Sequence, residues 1–212
     1  LVALTARRAV AEAAVAMVAE RTAGLTVRRG IGVRGVLSGT GALPGVPHVT
    51  GVVTDAGEEL PADLVVDAAG RRSPMPRWLH DIGARPCHEE REDSGFVYFS
   101  RHFRSTTGSL PVTRGPLLQH FGSLSVLTLP ADQGTWGVGL IASAHDRSLL
   151  ALRDPARWTA VANALTPIAH WVDGEPITGV QVLNRLEDRR RRLCVGGRPV
   201  ATGIVAVADA CA

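Results

Sequence analysis

Two short apolar runs constrain this chain most: Leu64-Val65-Val66, closing on Asp67, and Ile204-Val205-Ala206-Val207, closing on Ala208-Asp209. Runs of this length, bounded by turn residues, read as strands buried on both faces, the habit of parallel sheets in α/β proteins. Each runs into a small-residue turn, Ala68-Ala69-Gly70 in the first case and Ala208-Asp209-Ala210 in the second. In open α/β sheets, ligands sit outside the carboxyl ends of the strands. Small residues there let a ligand approach the backbone, an Asp carboxylate suits ribose-type hydroxyls, and arginines such as Arg71 suit phosphates. By spacing alone, the two turns read equally well as ordinary strand ends.

The rest of the chain fills in around these runs. Val10, Ala14, Met17 and Val18 recur at helical spacing and predict a helix from Thr5 to about Thr22, capped by Thr5 and ended by Gly24. Strands are expected over Leu25 to Leu37, His48 to Thr54 and Leu60 to Ala68, the last two joined by a turn at Asp55-Ala56-Gly57-Glu58, giving an antiparallel meander. A short helix through Trp78 and Leu79 follows. From Gly95 to Ala142 the texture changes to short strands, Phe96–Phe99, Leu117–Phe121, Ser125–Leu129 and Trp136–Ile141, separated by Gly, Pro, Ser and Thr. Asp146 to Val172 reads as mostly helical, with Pro155 opening one helix and Pro167 breaking it.

Composition removes several classes of function. Hydrophobic residues make up 45% of the 212 residues and charged ones 20%, which predicts a globular protein with no membrane-spanning helix. All 23 basic residues are arginine. The one dense basic run, Arg189 to Arg192, has no aromatic residues interleaved, so it is read as a solvated face and not as a nucleic-acid platform. Cys87, Cys194 and Cys211 are odd in number, far apart and without a CxxC, which argues against a disulfide framework or a zinc site and makes the cytoplasm the default location.

Two apparent motifs fail on context. Gly30-Ile31-Gly32-Val33-Arg34-Gly35 spells G-x-G-x-x-G, with Asp55 downstream, but the residues that follow cannot form the helix whose N-terminus must face a pyrophosphate. Gly122-Ser123-Leu124-Ser125 lacks the second glycine of a nucleophile elbow. The seven histidines are scattered, and His102 and His120, with Tyr98, are pocket-lining candidates in the β-rich region.

Taken together, Leu4-Thr5-Ala6-Arg7-Arg8, Ala69-Gly70-Arg71-Arg72-Ser73 with Arg77, and Ala208-Asp209 resemble, in order and in the texture between them, the flavin-dependent monooxygenases of the para-hydroxybenzoate hydroxylase type. The resemblance implies an α/β fold: a partial FAD/NAD(P)-binding Rossmann-like domain with a β-meander, plus a β-rich substrate domain. It divides the chain into residues 1–94 (FAD-binding, first part), 95–185 (substrate domain with a flanking helix) and 186–212 (FAD-binding, second part). It matches Arg8, or less directly Arg7, to the flavin-side arginine, Gly70, Arg71 and Ser73 to the Asp-Gly motif, and Asp209 to the Gly-Asp motif. Ala69 stands where that family has Asp, and Ala208 where it has Gly. The glycine-rich ADP loop is not found, so the chain is expected to be an internal piece of a larger flavoenzyme.

The implied activity is reduction of FAD by NAD(P)H, followed by O2-dependent oxidation of a small hydrophobic or aromatic substrate held by the region from Gly95 to Ala142. No catalytic acid or base is assignable. A flavin reductase without oxygen insertion and a non-catalytic remnant are the alternatives. A flavin halogenase, whose tunnel lysine the resemblance would require, finds no lysine in this chain.

Overall fold

The computed structural model describes residues 5–184 and 186–211. In chain order the elements are α1 (Arg8–Arg21), β1 (Val33–Gly39), β2 (His48–Thr54), β3 (Glu59–Pro61), β4 (Val65–Asp67), α2 (Met75–Asp81), β5 (His88–Asp93), β6 (Phe96–Arg104), β7 (Leu118–Phe121), β8 (Leu124–Pro130), β9 (Thr135–Ser143), α3 (Pro155–Ala164), β10 (Glu175–Pro176), β11 (Gln181–Leu183), β12 (Glu187–Arg192), β13 (Cys194–Val195), β14 (Arg198–Pro199) and β15 (Ile204–Ala206). Single 3-10 turns lie at Leu149–Arg153, Ala169–Val172 and Ala208–Ala210. The fold is mixed α/β and divides into two compact units, Val27–Glu92 with Glu187–Ala212, and Leu1–Thr26 with Asp93–Leu186. No described helix is long and apolar enough to cross a membrane.

The first unit is built on the antiparallel meander β1-β2-β3, in which Val36 faces Val52 and Val53 faces Glu59. Its second turn behaves as read, with Gly57 at φ +85°. Beside the meander, β4 pairs in parallel with β15, Val65 opposite Ile204 and Asp67 opposite Ala206. Gly203 carries this junction: at φ +73°, a Cβ there would stand 2.1 Å from the Val49 carbonyl oxygen, so only glycine lets the chain cross β2 this closely. Val49, Val65, Met75, Trp78, Leu79, Val200 and Ile204 form the core beneath.

The second unit is an antiparallel sheet in the order β10-β6-β9-β8-β7, with β11 also on β6. One face packs under α3 and the flanking 3-10 turns, burying Val97, Phe99, Phe103, Val126, Val138, Leu140 and three tryptophans, Trp136, Trp158 and Trp171. Buried indole N–H groups need partners, and they find backbone carbonyls: Trp158 Nε1 donates to Phe99 O and Trp136 Nε1 to Trp171 O, both at 2.7 Å. Asp154 caps α3 by accepting from the Arg157 N–H, and Pro155 opens the helix as expected.

Several sequence expectations are corrected. The N-cap of α1 is Arg7 and not Thr5; Arg7 is held there because its backbone N–H and guanidinium both reach Asp132, between β8 and β9. The first strand begins at Val33 and not at Leu25, because β2 ends at Thr54, opposite Val33, and no described strand pairs with residues 25–32. The run from Leu60 to Ala68 splits between two sheets, β3 and β4, and the two apolar runs are buried on one face only: Val65 and Ile204 point inward while Leu64, Val66, Val205 and Val207 are exposed. Finally, the arginine run is not a solvated face but strand β12, paired with β5.

In a strand, alternate residues face opposite ways, so Arg189 and Arg191 turn inward while Arg190 and Arg192 stay exposed. The Arg191 side chain is 4% exposed. It donates through Nε to Glu89 Oε2 at 3.1 Å and through Nη1 to the Ala210 carbonyl at 2.8 Å. Burial alone would push the Glu89 carboxyl up, but hydrogen bonds from Arg91 and Arg191 outweigh it and hold it below its ordinary range. Arg191→Met takes from Glu89 one of its arginine partners and from the Ala210 carbonyl a donor, and should lower stability by about 2 kcal/mol in urea unfolding at neutral pH. A depressed carboxyl contributes stability above its unfolded pKa and loses it as pH falls through the folded one. The gap between wild type and Arg191→Met should therefore narrow in acid.

Candidate functional site

The carboxyl ends of β4 and β15 lie side by side because the two strands run parallel and in register, and each feeds a turn. After β4, the buried Asp67 organises the chain. Its Oδ1 accepts from the Ala69 N–H at 3.0 Å and its Oδ2 from the Ser73 hydroxyl at 2.6 Å. Ser73 Oγ in turn accepts from the Met75 N–H at 3.1 Å, at the first turn of α2. A carboxylate with two donors and a hydroxyl used both ways make this loop a rigid hairpin of polar contacts.

Gly70 sits at the tip of that loop at φ +76°, and a Cβ on it would stand 3.9 Å from Asp209 Cβ. On the β15 side, the Val207 N–H donates to the Asp67 carbonyl at 3.0 Å and the chain enters the 3-10 turn at Ala208–Ala210. Ala208 adopts φ +50°, a left-handed conformation that L-residues other than glycine take at a cost. Asp209 is exposed, and among the described residues its carboxylate makes no hydrogen bond or ion pair.

Arg71 lies over the same corner. Its Nη1 donates to the Glu187 carbonyl at 3.0 Å, and Arg189 Nη1 returns a bond to the Arg71 carbonyl at 3.0 Å. Arg191 grips the other end of the second turn through the Ala210 carbonyl. The structure therefore brings together four residues singled out in the sequence, Gly70, Arg71, Ser73 and Asp209. Three of them face one corner, while Ser73 is buried and acts through the loop it ties. Arg8 lies in the other unit, where its guanidinium pairs with Glu12 one turn along α1 and its side chain is 91% exposed.

Sequence reasoning marked Asp67 at the strand end without its role in tying the loop, and passed over Glu89 and Arg191 as working parts of the site. Asp67 carried a usable signal, a carboxylate ending an apolar strand with a serine six residues on; Glu89 and Arg191 carried none, because their pairing depends on β5 meeting β12. An open cleft of about 760 Å³ in this unit is lined by Glu90, Arg91, Glu92, Asp188, Arg189, Arg190 and Cys211. None of the sequence-predicted residues borders it. Its mixed charges suit neither an anion nor a cation alone, and the chemistry of the two turns is the better guide to a ligand.

No protein-family model matches the chain. Over 123 residues, 52% of this chain, it is 36% identical to the protein Rv3254 of Mycobacterium tuberculosis and spans 26% of that protein's length. Among solved structures, it is similar to the myxobacterial chondrochloren halogenase CndH, a variant of FAD-dependent halogenases, with TM-score 0.65 and 20% identity over 99% of this chain and 46% of that one. It is also similar to PqsL of Pseudomonas aeruginosa, described as a probable FAD-dependent monooxygenase, with TM-score 0.57 and 14% identity over 85% of this chain and 46% of that one. The fold is similar to part of each of these two proteins, and the chain spans 46% of either one's length.

Two substitutions test the corner's construction. Ser73→Ala removes a donor from buried Asp67 and the acceptor for Met75, and should cost about 1–2 kcal/mol in urea unfolding. Ala208→Gly relieves a left-handed φ and should stabilise by up to about 1 kcal/mol in the same measurement.

Proposed function

We propose that this chain supplies the part of an FAD-dependent oxidoreductase that holds the flavin cofactor at the ends of β4 and β15. The enzyme draws electrons from NAD(P)H and uses O2 to oxidise a small hydrophobic or aromatic substrate. The observation that carries the reading is the juxtaposition of Gly70 and Asp209 across a parallel strand pair, in a fold shared with FAD-dependent enzymes.

The residues fit such a group. Gly70 presents backbone without a side chain, at a conformation other residues avoid, so a ligand can lie directly against the loop. The exposed carboxylate of Asp209 is an acceptor for the hydroxyls of a ribityl chain. Arg71, with its exposed neighbour Arg72, offers planar donors to phosphate oxygens. Asp67, Ser73 and Arg191 position these groups: they fix the loop, the start of α2 and the Ala210 carbonyl, so that little order remains to be imposed when a ligand arrives. When bound, FAD supplies the redox chemistry, taking two electrons from the nicotinamide and delivering them to O2.

The test is an FAD titration of the purified chain, followed by the visible flavin absorbance and by equilibrium dialysis. Saturable binding is expected, with Asp209→Ala weakening it about tenfold through loss of one charge-assisted hydrogen bond while the unfolding midpoint is unchanged. Absence of binding, or binding indifferent to Asp209→Ala and to Gly70→Val alike, overturns the reading.

A further inference from the structure

The unit built on the large sheet contains an open cavity of its own, of about 300 Å³. That is the lower end of the roughly 300–1,000 Å³ found for small-molecule pockets. It lies where β6 ends and β9 begins, between the stretch 105–114, Trp136 and the chain leaving the 3-10 turn Ala169–Val172.

Local bonds build both sides. The Ser105 N–H donates to the Gly134 carbonyl at 2.8 Å and the Thr107 N–H to Ser105 Oγ at 3.1 Å, which leads the chain out of the sheet. It returns where the Leu117 carbonyl accepts from the Thr128 N–H at 2.8 Å. Among the described residues, one hydrogen bond ties the stretch 108–115 to the rest of the unit, from His170 Nε2 to the Val112 carbonyl at 2.8 Å. On the facing side, Gly174 lets the chain press against Trp136. A Cβ there would stand 2.5 Å from the indole ring and 2.8 Å from the Arg104 carbonyl oxygen, and this close approach sets the neighbouring Asp173 against the cavity.

Three ionisable side chains border the cavity, each with unpaired atoms. Arg114 and Asp173 are exposed, and among the described residues neither makes a hydrogen bond or ion pair, with the other or with any third group. The Val112 carbonyl only accepts, so neutral His170 carries its proton on Nε2 and presents a lone pair at Nδ1. That Nδ1 is buried and has no described partner, a condition that buried polar atoms rarely tolerate. The Ser109 hydroxyl is likewise without a described partner, and Leu110 and Pro111 add apolar lining.

This set selects by charge. A phosphate would meet Arg114 but bring like charge to Asp173, and a simple cation would do the reverse. A neutral polyol would strip water from both charges and return only weaker bonds. A zwitterion answers both: its carboxylate takes donors from Arg114 and Ser109, and its ammonium donates to Asp173 and to the His170 lone pair.

We propose that this cavity binds a small apolar α-amino acid as its zwitterion, with Arg114 holding the carboxylate, Asp173 the ammonium, and Leu110 and Pro111 the side chain. The site does not rest on the flavoenzyme reading above.

The experiment is a titration of the whole isotope-labelled chain, without FAD, with L-leucine at neutral pH, following backbone amide signals. Saturable shifts centred on residues 109–114 and Asp173 are expected. N-acetyl-L-leucine, which lacks the ammonium, and L-leucinamide, which lacks the carboxylate, should each bind at least about tenfold more weakly. Arg114→Ala and Asp173→Asn should weaken leucine binding by about the same factor, with the unfolding midpoint unchanged because both side chains are exposed. No saturable shift up to millimolar leucine, equal binding of the three compounds, or binding indifferent to both substitutions overturns the site. Because flavin is left out, the FAD titration stands or falls separately.

Discussion

The parallel pairing of Val65–Asp67 with Ile204–Ala206 is the constraint on which the candidate site depends. It joins segments from distant parts of the sequence, so it carries a large loop-closure cost that three residue pairs of ladder cannot offset by themselves. The remainder comes from what the pairing makes possible: the core of Val49, Val65, Trp78, Leu79 and Ile204, and the bond from the Val207 N–H to the Asp67 carbonyl. Gly203 is the geometric condition, since any side chain there would drive β15 away from β2. Once the pair forms, two turns that are unrelated in sequence become neighbours, and a carboxylate on one comes to lie beside a bare backbone on the other.

Polar groups then fix the corner at atomic scale. Asp67 is buried, and a buried carboxylate is tolerable only where donors meet it. The Ala69 N–H and the Ser73 hydroxyl do so, and their geometry sets the path of the loop carrying Gly70 and Arg71. Arg191 does the same for the second turn. Its guanidinium is among the least exposed charged groups in the chain, and it spends its donors on Glu89 and on a backbone carbonyl, which gives it a structural role. Asp209 differs in kind, because its carboxylate is exposed and has no described partner. That contrast between committed and uncommitted charges separates Asp67 and Arg191, which build the corner, from Asp209, which is open to a ligand.

The sheet unit obeys a simpler rule. Period-two alternation puts large apolar residues of β6, β8 and β9 on one side, and two indoles, Trp136 and Trp158, lock that side by donating to backbone and packing against Phe103. A face so fully committed leaves the other free to vary. Arg101 is the exception on the core side: its charge is kept there by the rings of Phe103 and Trp158 at 5.6 and 5.4 Å and by Thr159 Oγ1.

Much of this was legible in the sequence. Local signals sufficed wherever an element is made by its own neighbours: β2 falls on His48–Thr54 as its alternation predicts, Gly57 turns the meander, Pro155 opens α3, and the four strands between Gly95 and Ala142 lie where their β-rich segments were marked. The two Asp-bearing turns were also marked as a place for a ligand, from residue chemistry alone. Tertiary structure decided the rest, because it turned on partners. Residues 25–32 read as a strand but belong to none, because no described strand pairs with them, and a ladder of hydrogen bonds makes a strand. Leu64 and Val66 read as core yet stand exposed, since burial is set by what packs above a strand and not by its own hydrophobicity. Arg191 reads as surface yet is buried, because only the meeting of β5 and β12 gives it Glu89. Sequence determined which groups are available and how each segment bends; which of them meet was decided by long-range contacts, whose free energy no local pattern contains.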